Sequence, residues 1–106
     1  MKNIIKMKTI RFDDFDEFMK EFRKYGLRTV HLSLAPGWHS TEVDGRPVII
    51  PKMVVRLAAR TKDGKFELYL RKYFEDEEDA EFEYHRWRRK LDAEEIIIRY
   101  GMGGKW

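Results

Sequence analysis

The stretch of sequence that decides the fold runs from residue 53 to residue 72 and reads MVVRLAARTKDGKFELYLRK. Apolar residues alternate with polar ones on both sides of Asp63-Gly64, a dipeptide typical of tight hairpin turns. The alternation places one apolar face and one polar face on each strand. The pattern therefore predicts a β-hairpin whose apolar face packs against the rest of the domain.

The register of this hairpin collects basic residues on its polar face. A type I′ turn at Asp63-Gly64 places Arg56 opposite Arg71. Two arginines in opposition destabilise a sheet unless an anion lies between them. Arginine suits phosphate contacts and tyrosine suits stacking on bases. We therefore predict a nucleic-acid-binding face formed by Arg56, Arg60, Tyr69 and Arg71.

Positive charge is concentrated around the same hairpin. Residues 46 to 72 contain eight basic and two acidic residues, a local charge of +6, whereas the whole chain carries +3. A concentrated basic surface attracts polyanions even when the average charge is modest. The leading hypothesis is a small non-enzymatic module that binds RNA or single-stranded DNA.

Helical and strand patterns account for the remaining chain. Apolar residues at helical spacing from Phe12 to Phe22 predict a first helix, with Asp13 or Asp14 as its cap and Gly26 at its end. A second helix is predicted from about Asp76 to Leu91. Further strands are predicted at Asn3–Arg11, Leu27–Leu34 and Glu94–Tyr100, with a small hairpin of His39–Val43 and Arg46–Ile50 around Asp44-Gly45.

This element order predicts an α+β fold. We expect a two-layer sandwich, a ferredoxin-like variant of order β-α-β-β-β-α-β, with two helices on one face of a mainly antiparallel sheet. We expect residues 1–100 to form one domain and residues 101–106, which are rich in glycine, to form a flexible tail. Pro36-Gly37 is expected to break the second strand.

The amino-acid composition indicates what kind of organism and cellular compartment to expect for the protein. The 106 residues include no Cys, no Gln and one Asn beside 22 Lys or Arg and 19 Asp or Glu. Scarce thermolabile residues and abundant charges favour a hyperthermophilic, archaeal source. No apolar run reaches the roughly 20 residues of a transmembrane helix, so we expect a cytoplasmic protein without a membrane partner. We expect no cofactor and no metal site.

Two basic or aromatic segments allow competing interpretations. Residues 85–90, HRWRRK, end a helix that begins with acidic residues, an arrangement that complements the helix dipole without any ligand. The loop predicted at residues 36–42 carries Trp38, which we expect to be exposed. We include Trp38 among the candidate nucleic-acid contacts.

Two other functions remain open. His31-Leu32-Ser33-Leu34 resembles one half of the paired His-x-Ser/Thr-x motif of the 2H phosphoesterases, in which two copies supply acid, base and phosphate-holding hydroxyls. The resemblance covers four residues and implies a phosphodiesterase-like enzyme using His31 and Ser33. The other alternative is a homo-oligomeric or structural protein, such as a homodimer, in which the basic face or a sheet edge pairs with a second copy.

Overall fold

Seven elements follow from these patterns. The computed structural model describes residues 6–100, and within them the elements are β1 (Lys8–Phe12), α1 (Phe15–Lys24), β2 (Thr29–Val43), β3 (Arg46–Arg60), β4 (Phe66–Phe74), α2 (Glu77–Ala93) and β5 (Ile97–Tyr100). The α+β class is confirmed. The predicted strand start at Asn3 and the predicted tail from Gly101 onward lie outside the described residues.

The five strands form one mixed sheet in the order β1-β4-β3-β2-β5. β3 runs antiparallel to β2 and β4, whereas the outer pairs β1·β4 and β2·β5 are parallel. Two short connections keep β2, β3 and β4 adjacent, so the crossovers through α1 and α2 can attach β1 and β5 only at the edges. Most of the pairing is therefore antiparallel, and the ferredoxin-like strand order is not confirmed.

The predicted break at Pro36-Gly37 is wrong, because β2 continues through it to Val43. Asp44 and Gly45 both have positive φ, 52° and 76°, as a two-residue type I′ turn requires. The pair next to such a turn is hydrogen-bonded, and alternate pairs after it are not. Pro36, Pro47 and Pro51 all fall at non-hydrogen-bonded pairs. Their lack of a backbone N–H therefore removes no hydrogen bond between β2 and β3.

The β3–β4 connection differs from the predicted type I′ turn. Gly64 has a φ of 73°, but Asp63 is not among the residues with positive φ, so the turn is not type I′. Thr61 N donates to Phe66 O at 2.9 Å beyond the end of β3, which leaves residues 62–65 as a four-residue loop. Thr61 closes it: its carbonyl accepts from Gly64 N at 3.0 Å, and its hydroxyl donates to Asp63 at 2.6 Å. The predicted register survives because the longer loop is centred on the same two residues.

Both helices pack on one face of the sheet. Asp14 caps α1 by accepting from Asp16 N at 2.7 Å, and Gly26 follows its end with a φ of 66°. One buried cluster joins both helices to the sheet, and it includes Phe18, Phe22, Trp87, Leu91, Val30, Leu32, Val55, Leu57, Leu68 and Leu70. The opposite face of the sheet, called the open face below, carries no helix within residues 6–100.

Neither helix in the described part of the chain is long and apolar enough to cross a bilayer.

Candidate nucleic-acid interface

The open face carries a strong excess of positive charge. Strand residues there alternate with those of the core, and Glu67 is the one acidic residue among the paired strand positions of this face between residues 6 and 100. The same face carries five arginines, at positions 11, 56, 60, 71 and 99. Such a surface raises the local concentration of anions.

The predicted opposition of Arg56 and Arg71 is confirmed by the register of β3 and β4. Arg60 faces Glu67 in the same register, and their side chains form an ion pair at 3.4 Å. Because Arg60 is 59% exposed, solvent screens this pair and it contributes little to stability. The structure thus brings four of the predicted site residues onto one face, with Arg60 partly neutralised.

Arg71 lies between two tyrosines of its own strand. Its guanidinium carbon is 5.9 Å from the ring centre of Tyr69 and 5.1 Å from that of Tyr73. Arg11 approaches Tyr69 from β1 at 5.5 Å. These distances fit cation–π contacts, which hold the guanidinium groups over the rings. The result is an alternating row of cations and aromatic rings across β1 and β4.

A cavity of about 280 Å³ opens beside this row and is lined by Arg11, Phe12, Asp13, Tyr69, Arg71 and Tyr73. The sequence analysis missed Arg11 and Tyr73 as site residues. Tyr73 could have been found by its even spacing from Tyr69, which puts both rings on one side of β4. Arg11 could not, because the parallel pairing of β1 with β4 joins residues far apart in sequence.

A residue of the long β2–β3 hairpin contacts β4 on the open face. His39 stacks on Tyr73 with ring centres 4.8 Å apart, although β3 lies between their strands. Gly37 lies on the same face two residues before His39, and a Cβ added there would fall 2.5 Å from Val54 Cγ2. The absence of a side chain therefore permits this close approach, and His39 closes one end of the open face.

We expect Gly37→Ala to lower the free energy of unfolding by about 1–2 kcal/mol, because the new methyl group overpacks against Val54. Urea denaturation measures the change. The second substitution Val54→Ala should remove the clash, so that Gly37→Ala costs less in the Val54→Ala background than in the native chain. Equal costs in the two backgrounds would show that the strands do not approach closely at Gly37.

Trp38 does not join the other predicted site residues. It is 70% exposed, as predicted, but it belongs to β2 rather than to a loop and alternates onto the face opposite Gly37. Its neighbours there are Pro51, its partner in register, and Ile49, which is 65% exposed. Trp38 and Ile49 therefore form a separate apolar patch on the hairpin.

His31 and Ser33 both lie on the open face. Burial, followed by the charges of Arg99 and Arg60, lowers the pKa of His31 and favours its neutral form. His39 and Thr41 repeat the spacing of His31 and Ser33 eight residues further along β2. Eight residues of extended strand span about 26 Å, so the two histidines are not positioned around one phosphate.

Residues at the basic end of α2 take part in core packing and in ion pairs within the domain. Trp87 is 1% exposed and packs on Phe15 with ring centres 5.7 Å apart. Arg86 pairs with Glu83, which also accepts from Lys72 at 2.8 Å. The structural interpretation of residues 85–90 is therefore supported.

Between residues 6 and 100 no three His, Asp or Glu side chains converge as metal ligands. A comparison of this chain with protein-family models, curated proteins and solved structures gave no match.

Proposed function

We propose that the open face binds single-stranded nucleic acid, either RNA or single-stranded DNA. The observation that carries this proposal is that arginines without carboxylate partners stand beside aromatic rings. None of the ion pairs found between residues 6 and 100 includes Arg11, Arg56 or Arg71. Cations kept together without counter-charges favour an anionic ligand, since each is then available to a phosphate.

The shape of the surface favours a single strand over a duplex. A duplex groove is read by a protruding helix or ribbon, whereas exposed bases stack on aromatic side chains of a sheet. Tyr69 and Tyr73 are four residues apart on β4, a separation of about 13 Å in an extended strand. Both rings contact Arg71, so base stacking and phosphate neutralisation would occur side by side.

The test is the salt dependence of binding by the double variant Arg11→Ala/Arg71→Ala. Fluorescence anisotropy with labelled single-stranded oligonucleotides gives the affinity at several salt concentrations. If each arginine neutralises one phosphate, the slope of log affinity against log salt should fall in magnitude by roughly 1.4–1.8, at ~0.7–0.9 per phosphate. The affinity at low salt should also fall, because two phosphate contacts are lost.

The matched control is Arg88→Ala/Arg89→Ala, which removes the same charge from exposed positions of α2. Its slope should stay within a few tenths of the native value, because helix-end charges lie on the other side of the sheet. Equal slope changes in both double variants would mean that net charge alone attracts the oligonucleotide. A native protein without affinity for single strands at low salt would end the proposal.

Self-association is the second candidate, and the β5 edge is the observation that favours it. Within the described residues β5 pairs with β2 alone, while Ile97 and Tyr100 are 57% and 58% exposed. An exposed apolar edge strand can add a strand from another chain. Sedimentation equilibrium of the native protein and of Ile97→Lys would detect a dimer that uses this edge.

A further inference from the structure

Two buried polar atoms on the open face have no hydrogen-bond partner within residues 6–100. One is the hydroxyl of Ser33, a residue that is only 3% exposed, and the other is Nε of Arg56. A buried donor without an acceptor destabilises the folded protein, and such groups in native structures call for an explanation. Here the two groups are neighbours, because Ser33 and Arg56 face each other in the β2–β3 register.

The surroundings of this pair favour a compact anion. Arg71 lies opposite Arg56 on β4, so a second positive charge stands on the adjacent strand of the same face. A Cβ added to Gly37 would lie 3.9 Å from Arg56 Nη2, so the Arg56 side chain extends along β2 toward this glycine. Arg56 forms no ion pair among the described residues, so no carboxylate holds it in that position.

We propose that Ser33 and Arg56 form a subsite for a phosphate monoester, reached when the Arg56 side chain turns outward from β2. A monoester presents three strong acceptor oxygens and nearly two negative charges, which matches the Ser33 hydroxyl and the Arg56 guanidinium. An internal phosphodiester matches less well, because two of its oxygens continue into the chain on either side. The subsite would thus receive the phosphorylated end of a strand.

This inference rests on the proposed function, because the molecule that carries the phosphate is the proposed single-stranded nucleic acid. Free phosphate and mononucleotides offer the same chemistry, and the experiment has to separate these sources. His39 and Tyr73 stack beside Gly37, at the end of the open face toward which Arg56 extends. Aromatic rings at that position suit a terminal base whose phosphate enters the subsite.

The experiment compares oligonucleotides of one sequence that carry a 5′-phosphate, a 3′-phosphate or only hydroxyl ends. The native protein should bind one phosphorylated form about tenfold or more tightly than the hydroxyl form, the effect of a hydrogen bond to a charged group. Ser33→Ala should abolish this preference without changing the salt slope for the hydroxyl form. Ser40→Ala, an exposed substitution on the other face of β2, should retain the preference.

Ser33→Ala should also melt at the same temperature as the native protein or higher, because the substitution removes a buried hydroxyl that has no hydrogen-bond partner within the described residues. If this variant failed to fold, Arg56→Lys would replace it, since lysine keeps the charge but lacks Nε. That substitution should likewise remove the preference for a phosphorylated end. A preference that survives these substitutions, or its absence in the native protein together with a lack of phosphate binding, would overturn the subsite.

Calorimetry with inorganic phosphate and with a nucleoside monophosphate separates the subsite from the proposed function. Phosphate binding that Ser33→Ala weakens, in a protein that binds no oligonucleotide, would support the subsite with free phosphate as its source and reject the nucleic-acid proposal. Oligonucleotide binding that is indifferent to terminal phosphate, without binding of free phosphate, would support the nucleic-acid proposal and reject the subsite.

Discussion

Leu57→Ala is expected to lower the free energy of unfolding by about 2–5 kcal/mol, the range for removing a large buried aliphatic side chain. Leu57 is fully buried in the part of β3 that pairs on both sides, with Leu32 of β2 and Leu70 of β4 as its register partners. The helices cover this face, so the cavity left by the truncation cannot be filled by water from an open side. Urea denaturation with an unchanged m-value gives the loss directly.

The matched control is Ile49→Ala in the same strand. Ile49 is 65% exposed, so its truncation should change the stability by no more than about 0.5 kcal/mol. Similar losses for both variants would show that the Leu57 face of β3 does not pack against the helices. The comparison therefore tests the assignment of the two sheet faces on which the candidate interface depends.

The register of the β3–β4 hairpin was predictable because it depends on local information. The alternation of apolar residues fixes which face of each strand is buried, and a slip by one residue would expose Leu57 and bury Arg56. The true loop has four residues and a different backbone conformation from the type I′ turn, but it is centred on the same Asp63-Gly64. Face composition was therefore predicted correctly although the turn type was not.

The strand order and the length of β2 depend on information that local patterns lack. Nothing in residues 8–12 indicates that β1 pairs in parallel with β4 rather than with β2. The break predicted at Pro36-Gly37 ignored the position of the proline within the ladder. A proline at a non-hydrogen-bonded pair removes no ladder bond, and the pairing of β5 with β2 within the described residues extends only as far as Leu32 and Tyr100.

The candidate site was predictable only where it lies within one hairpin. Arg56, Tyr69 and Arg71 follow from the register, and Tyr73 follows from its even spacing to Tyr69 on β4, whereas Arg11 joins them only through the parallel pairing of β1 with β4. Trp38 was assigned to the site because an exposed tryptophan in a loop suggests binding. Once β2 is continuous, alternation assigns Trp38 to the other face, so the exposure was predicted correctly but the location was not.

Glu83→Ala is expected to lower the free energy of unfolding at neutral pH by about 2–3 kcal/mol. The Glu83 side chain is 10% exposed, accepts from Lys72 of β4 at 2.8 Å and pairs with Arg86 of its own helix. Removing it leaves two cations without their shared acceptor, and hydrogen bonds to charged groups contribute about 1.5–3 kcal/mol each. Because Lys72 and Arg86 are 43% and 41% exposed, water compensates part of this loss.

The pH dependence of stability identifies the charge as the cause. Burial opposes ionisation of Glu83, but hydrogen bonds and charges from Lys72 and Arg86 outweigh it and lower the pKa below its ordinary value of 4.5. A lowered folded-state pKa means that the unfolded chain binds the proton first. The contribution of Glu83 is therefore complete above its ordinary pKa and decreases as the pH falls toward the folded-state value.

Glu81→Ala is the control, because Glu81 is exposed on the same helix and occurs in none of the ion pairs found between residues 6 and 100. Denaturation of the native protein and both variants should show a large loss for Glu83→Ala at pH 7 that shrinks as the pH is lowered below 4.5. Glu81→Ala should show little change at either pH. A loss for Glu83→Ala that is equally large at both pH values would indicate that packing of the side chain, and not its charge, joins α2 to β4.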